Sequence, residues 1–268
     1  MMKKLLLGAW LLAGAVISCQ PNVPAASRQQ AKEAAGLPAA TSDSTAAMLA
    51  LLRQVDLSVA WNGAGGAAME GFYGPDSYRM SFYFDSVRRD AQRPNVYYVQ
   101  GRDRFKKVIT PFTGTLTVTR VAPLPDTAGL EHANGDRAYT AFTSFVLRED
   151  SLRKGAGRCW GRAVLDFQVN ARNQATEAGF TGIGLGEGNP TKGCGQVFKG
   201  TWQDNQSGRR QPVAWANFYG VIVPDALRKL GLGERIEEVN PKLTCYGWNT
   251  IMENDEWWAK SPQPSLSM

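Results

Sequence analysis

From residue 56 to residue 223 the chain repeatedly alternates apolar and polar side chains, a period of two that a strand satisfies and a helix does not. In residues 77–85, Tyr78, Met80, Phe82 and Phe84 alternate with Ser77, Arg79, Ser81, Tyr83 and Asp85. In residues 112–118, Phe112, Gly114, Leu116 and Val118 alternate with Thr113, Thr115 and Thr117, and a β-branched threonine row suits a solvated sheet face. Residues 138–148 and 159–169 are two more such runs, the second aligning Cys159, Gly161, Ala163, Leu165, Phe167 and Val169. These runs exceed the usual strand of about five or six residues. Glycine, proline, aspartate and asparagine punctuate them, so the expected fold is all-β: an antiparallel up-and-down barrel or a strongly coiled sandwich with short flanking helices.

Three segments, Phe112-Thr113-Gly114, Phe180-Thr181-Gly182 and Phe198-Lys199-Gly200, place an aromatic two residues before a glycine, on one strand face. Such glycines mark bends or places where a large neighbour lies over the backbone. Residues 198–203 and 212–218 flank a polar loop and predict a hairpin whose register brings Trp215 near Gly200. Gly200-Thr201-Trp202 resembles the glycine-x-tryptophan motif of lipocalin and avidin-like barrels. In lipocalins that motif opens the domain and here it lies near the end, so the resemblance bears on architecture alone. Residues 45–55, with Ser44 as N-cap, predict a short amphipathic helix that plugs or flanks the domain, and residues 224–230 predict another.

Ahead of the domain, Lys3 and Lys4 precede an apolar run over residues 5–17, the layout of a secretory signal peptide. The run is too short to span a bilayer, which takes about 20 apolar residues. It ends in Val16-Ile17-Ser18-Cys19, which resembles the lipobox of bacterial lipoproteins. That resemblance, confined to residues 1–20, implies cleavage before Cys19 and lipidation of its thiol, hence a membrane anchor. Gln20 in place of aspartate then implies the outer membrane, and the lack of an acidic run after the cysteine its periplasmic face. The expected organisation is a leader (1–18), a disordered tether poor in aromatics (19–44), one β-rich domain (45–260) and a flexible tail (261–268).

The net charge of +6 is spread among acids, which argues against a nucleic-acid partner. Four cysteines and one histidine, His132, leave no metal cluster and no Ser-His-Asp set, and no cofactor is expected. With Cys19 lipidated, Cys159, Cys194 and Cys245 remain, and a Cys159–Cys194 disulfide is favoured, with Cys245 bonded to either as the rival. Glycines 182–188 lack the lysine, hydroxyl and following helix of a phosphate loop and predict a rim loop instead.

Candidate ligand-binding residues are the aromatics on long strands, Phe82, Phe84, Trp202 and Trp215, with core packing as their competing role. Three functions are compatible with this pattern. The leading one is a lipid-anchored envelope module that binds a small ligand, or an envelope protein or glycan, without catalysis. The second is a glycan-directed hydrolase using Glu253, Asp255 and Glu256 beside Trp257 and Trp258. The third is an assembly lipoprotein whose tail aromatics form a protein-binding patch.

Overall fold

A computed structural model describes residues 42–63, 66–130, 136–180, 184–234, 238–253 and 255–259. The leader, Cys19, nearly all of the tether, His132, Gly182 and the tail lie outside the described residues. The strands are β1 (Met69–Tyr73), β2 (Tyr78–Arg89), β3 (Val96–Phe105), β4 (Val108–Pro123), β5 (Arg137–Glu149), β6 (Gly157–Val169), β7 (Ala175–Glu177), β8 (Gln196–Asp204) and β9 (Arg210–Ala216). They form one antiparallel sheet, ordered β5-β4-β3-β2-β1-β9-β8-β6-β7, and β5 also pairs with β6, so the sheet closes into a ring. β7 continues the line of β8 along the same edge of β6. The result is an up-and-down barrel, in which each position round the ring goes to the next strand in sequence.

Alternation decides what faces inward. Phe82 stacks on Trp215 with ring centroids 3.9 Å apart, Trp215 stacks on Phe198 at 4.8 Å, and Phe145 stands edge-on to both. These rings fill the middle of the barrel. They fit because small residues face them: on β1, Gly71 pairs with Trp215, and a Cβ there would stand 2.5 Å from Trp215 Cβ. Gly200, the partner expected for Trp215, pairs instead with Val213, and Trp215 pairs with Phe198. A glycine under tryptophan is therefore present, but on a strand too short to be recognised by alternation. Outward positions carry Arg102, Thr113, Thr117, Arg162 and Lys199, the inverse of a lipid-facing barrel band. Among the described residues no helix is long and apolar enough to cross a membrane.

One end of the barrel is plugged. Helix α1 (Ser42–Gln54), the short α2 (Ser58–Trp61) and the link between them bury Met48, Leu52, Val55, Leu57 and Trp61 in the main core. Arg89, at the end of β2, donates to the carbonyls of Leu52 (2.7 Å) and Val55 (3.2 Å), satisfying acceptors that the end of α1 leaves open. The other end is made of four hairpin turns, β1–β2, β3–β4, β5–β6 and β8–β9.

After β9 the chain forms a 3-10 turn (Tyr219–Ile222), α3 (Asp225–Arg228) and a second 3-10 turn (Pro241–Tyr246). Phe72, Val223, Leu227, Leu232, Leu243 and Trp248 make a second core there. Beside it, Arg79 makes a two-pronged ion pair with Glu70 (2.8 and 2.9 Å) and donates to Thr250 Oγ1 (3.1 Å). The last aromatics, Trp257 and Trp258, follow this segment. They lie along the barrel wall: Trp258 stacks near Tyr83 and its carbonyl accepts from Arg102 (2.7 Å).

Candidate functional site

Beside the plug is a cavity of about 290 Å³, lined by Trp61, Phe84, Glu177, Gln196 and Asn217 among others. Four of the wall residues stand at element ends, while Phe84 lies within β2. Trp61 closes α2, Glu177 closes β7, Gln196 opens β8 and Asn217 follows β9 directly, so the meander itself brings four distant segments to one mouth. Gly63, with φ of 76°, turns the chain away from α2 in the left-handed region that glycine adopts without strain. Around the point where its Cβ would stand gather Glu177 Oε2 (3.6 Å), Asn217 Nδ2 (3.9 Å) and Gln196 Nε2 (4.0 Å).

Hydrogen bonds fix these heads. Asn217 Nδ2 donates to Glu177 Oε1, and Gln196 Nε2 donates to the Ala60 carbonyl (2.8 Å), tying β8 to α2. Gln196 Oε1 and Trp61 Nε1 are buried with no partner in the structure. A buried polar atom left unpaired costs about 1–3 kcal/mol, so this wall holds polar groups that packing alone does not explain. The chemistry on offer is hydrogen bonding: one carboxylate, three amides with Asn62, and apolar flanks from Met69 and Phe84.

A second group of titratable residues lies inside the hairpin end. Asp103 is 2% exposed, and its Oδ2 has no partner. Glu149 accepts from Trp202 Nε1 (2.7 Å) and from the Gly157 amide (2.6 Å). Burial, and then the Glu149 charge, push the Asp103 carboxyl well above its ordinary range, and burial pushes Glu149 up as well. Burial and the neighbouring charge thus both work against ionising Asp103, and burial works against ionising Glu149. Tyr73, with Phe105 and Trp202 packed round its ring at 4.7 and 5.4 Å, closes this end.

Of the sequence candidates, Phe82, Trp202 and Trp215 are buried in the main core; Phe84 is buried too, yet also lines the cavity. The disulfide expectation is corrected: Cys159 and Cys194 are both free thiols. Cys159 pairs with Trp202 on β8, whereas Cys194 precedes Gln196, which pairs with Leu165 six residues further along β6, about 20 Å away. The rival pairing of Cys245 with either one is excluded by the same observation.

The described part of the glycine-rich segment, residues 184–195, is a loop pinned to the outer wall. Buried Asp166 accepts from Thr140 Oγ1 (2.6 Å) and Thr191 Oγ1, and Asn189 exchanges two hydrogen bonds with the Asp126 backbone. Asp255, a carboxylate of the hydrolase reading, is in an ion pair with Arg104, whose guanidinium lies over Trp257. Among the described residues no group of three or more His, Cys, Asp or Glu is arranged for a metal ion.

Comparison with protein-family models, with curated proteins and with solved structures finds no match to this chain. The reading of function therefore rests on these residues alone.

Proposed function

We propose that this chain is a lipid-anchored protein of the cell envelope, attached through Cys19 to the periplasmic face of the outer membrane, which binds a small molecule without catalysis. The lipobox-like Val16-Ile17-Ser18-Cys19 supports the anchor. The observation that carries the binding is the gathering of Glu177, Asn217 and Gln196 within 4.0 Å of one point in the cavity beside the plug. Ligand sites are concave, with a few convergent polar groups, and start at about 300 Å³. A cavity at the bottom of that range suits a small ligand, and carboxylate and amide oxygens suit one rich in hydroxyl or amino donors. The aromatic interior supports this placement indirectly, because stacked rings occupy the space where a central ligand would sit.

The test is native mass spectrometry of the full chain purified from its own membrane in mild detergent. The expected spectrum shows loss of residues 1–18, acyl chains that Cys19→Ser removes, and a non-covalent adduct that Glu177→Gln with Asn217→Ala reduces at least tenfold. A protein free of adduct, or an adduct indifferent to both substitutions, overturns the binding reading. An unchanged membrane fraction for Cys19→Ser overturns the anchor.

A further inference from the structure

We infer that the hairpin end of the barrel is a docking face for an anionic phospholipid surface, independent of any lipid on Cys19. A set of apolar side chains, uncovered among the described residues, stands there among cations. Leu152, in the β5–β6 turn, is 91% exposed, and Val108 and Ile109, at the start of β4, are 62% and 40% exposed. They are neighbours, because the Asp150 amide donates to the Pro111 carbonyl (2.9 Å) and so holds the β5–β6 turn against the start of β4.

Cations surround them. Lys106 and Lys107 make up the whole β3–β4 turn, Arg153 and Lys154 follow Leu152, and Arg209 and Arg210 stand on the β8–β9 turn; all are exposed. Of the acids of this end, Asp76 on the β1–β2 turn is exposed, whereas those of the β5–β6 and β8–β9 turns are engaged within their own turns. Asp150 accepts from the Leu152 amide (3.1 Å) and faces Arg153 (3.9 Å), and Asp204 accepts from the amides of Gln206 and Ser207.

The β3–β4 turn adds an independent sign. Lys106 and Lys107 both have positive φ, 48° and 68°, as in the two-residue turn that asparagine and glycine enter most easily. Two lysines there accept a strained backbone and bring two charges to the tip. Trp160, on the adjoining outer wall, is half-buried with Arg158 and Arg210 over its ring at 5.0 and 5.8 Å, an amphipathic ring suited to the headgroup layer.

Protruding apolar tips ringed by cations match a bilayer better than other occupants. Leu152 and Val108 enter the acyl boundary while the lysines meet phosphates. Nucleic acid offers phosphates but no apolar layer for these tips, and a protein partner calls for a shaped, continuous surface. The plug lies at the opposite end, yet residues 20–41 reach about 70 Å when extended, more than the about 43 Å of strand in the 13-residue β5. Anchor and hairpin end can therefore meet one bilayer.

The experiment is vesicle flotation of the chain without residues 1–19, so that neither the leader nor an acyl chain contributes. One set of vesicles is phosphatidylcholine alone and the other is equal parts phosphatidylcholine and phosphatidylglycerol. Each basic residue near an anionic surface strengthens binding about fivefold. Lys106→Glu with Lys107→Glu should therefore weaken binding to the anionic vesicles at least about twentyfold, and added salt should weaken the parent likewise. Leu152→Ser, which at its exposure leaves the fold unchanged, should weaken it about tenfold. Equal binding to both vesicle types, or variants that bind as the parent does, overturns the inference. So does a lack of vesicle binding alongside an envelope protein that co-purifies with the parent and is lost with Leu152→Ser. The pocket variants of the preceding section leave this assay unchanged, so the two proposals fail separately.

Discussion

Replacing Trp215 by alanine asks whether the barrel interior is a packed core or a binding chamber. The indole is 0% exposed and lies between Phe82 and Phe198, with Phe145 at its edge. A buried aromatic removes about 150–250 Å² from water, worth about 4–6 kcal/mol at 25 cal/mol/Å². A compact unfolded ensemble lowers that figure by about 10–40%, while loss of the offset stack on Phe82 adds about 0.5–1.5 kcal/mol. The expected cost is therefore about 4–5 kcal/mol, at the top of the range for such truncations. For a domain of this size each kcal/mol shifts Tm by about 2–4 °C, so Trp215→Ala should melt about 8–20 °C below the parent. Trp215→Phe keeps a ring in both stacks and should lose less than half as much. Thermal unfolding followed by circular dichroism measures both. A Trp215→Ala protein melting within about 3 °C of the parent would mean that the rings do not pack as described, and an open interior would return as the place for a ligand.

Two further outcomes follow from the buried acids and thiols. Because Asp103 and Glu149 are raised in the folded state, the unfolded chain ionises first and the folded chain binds more protons above about pH 4. Stability should then fall as pH rises from that point through the raised values. Asp103→Asn should flatten the profile and raise Tm at pH 8 by about 2–8 °C, read by melting curves across pH; a profile as steep as the parent's would refute the assignment. Burial pushes the Cys194 thiol up to about 12, against a usual value of 9.0. At pH 8 that leaves about a thousandfold less thiolate, so iodoacetamide should label native Cys194 about a thousandfold more slowly than the unfolded chain, as mass spectrometry of labelled peptides would show. Rapid native labelling would sink that account.

The barrel was legible in the sequence wherever the inward residues were large. β4, β5 and β6 announce themselves because Phe112, Leu116, Phe145, Leu147, Leu165 and Phe167 recur at every second position. β3 does not, since two of its inward residues are Gly101 and Asp103 and the outward ones are Gln100, Arg102 and Arg104; in sequence it reads as charged turn. β1 is hidden for the same reason, with Gly71 at its inward centre. The aromatic candidates were located correctly on one face, but alternation says only that a ring points inward. Whether it meets a cavity or another ring depends on the register of neighbouring strands, which moved Trp215 from Gly200 to Gly71. The cavity at the plug left no signal at all, since Glu177, Gln196 and Asn217 are ordinary polar residues at element ends, joined only by closure of the ring.

That closure also explains why the two ends differ. A barrel filled by stacked rings leaves its middle with nothing to bind, and its walls are committed to pairing and to the C-terminal segment. Function is left to the rims, where elements end and backbone polarity needs partners. At the plugged end the incoming chain supplies those partners and, in turning from α2 into β1 at Gly63, leaves a cavity among polar heads. At the hairpin end the β5–β6 and β8–β9 turns satisfy themselves through Asp150 and Asp204, and Leu152 beyond the first of them stays exposed. A leucine left 91% exposed at such a tip stabilises nothing within the molecule. What it contributes has to be sought in what the tip meets, and the lysines beside it indicate an anionic surface.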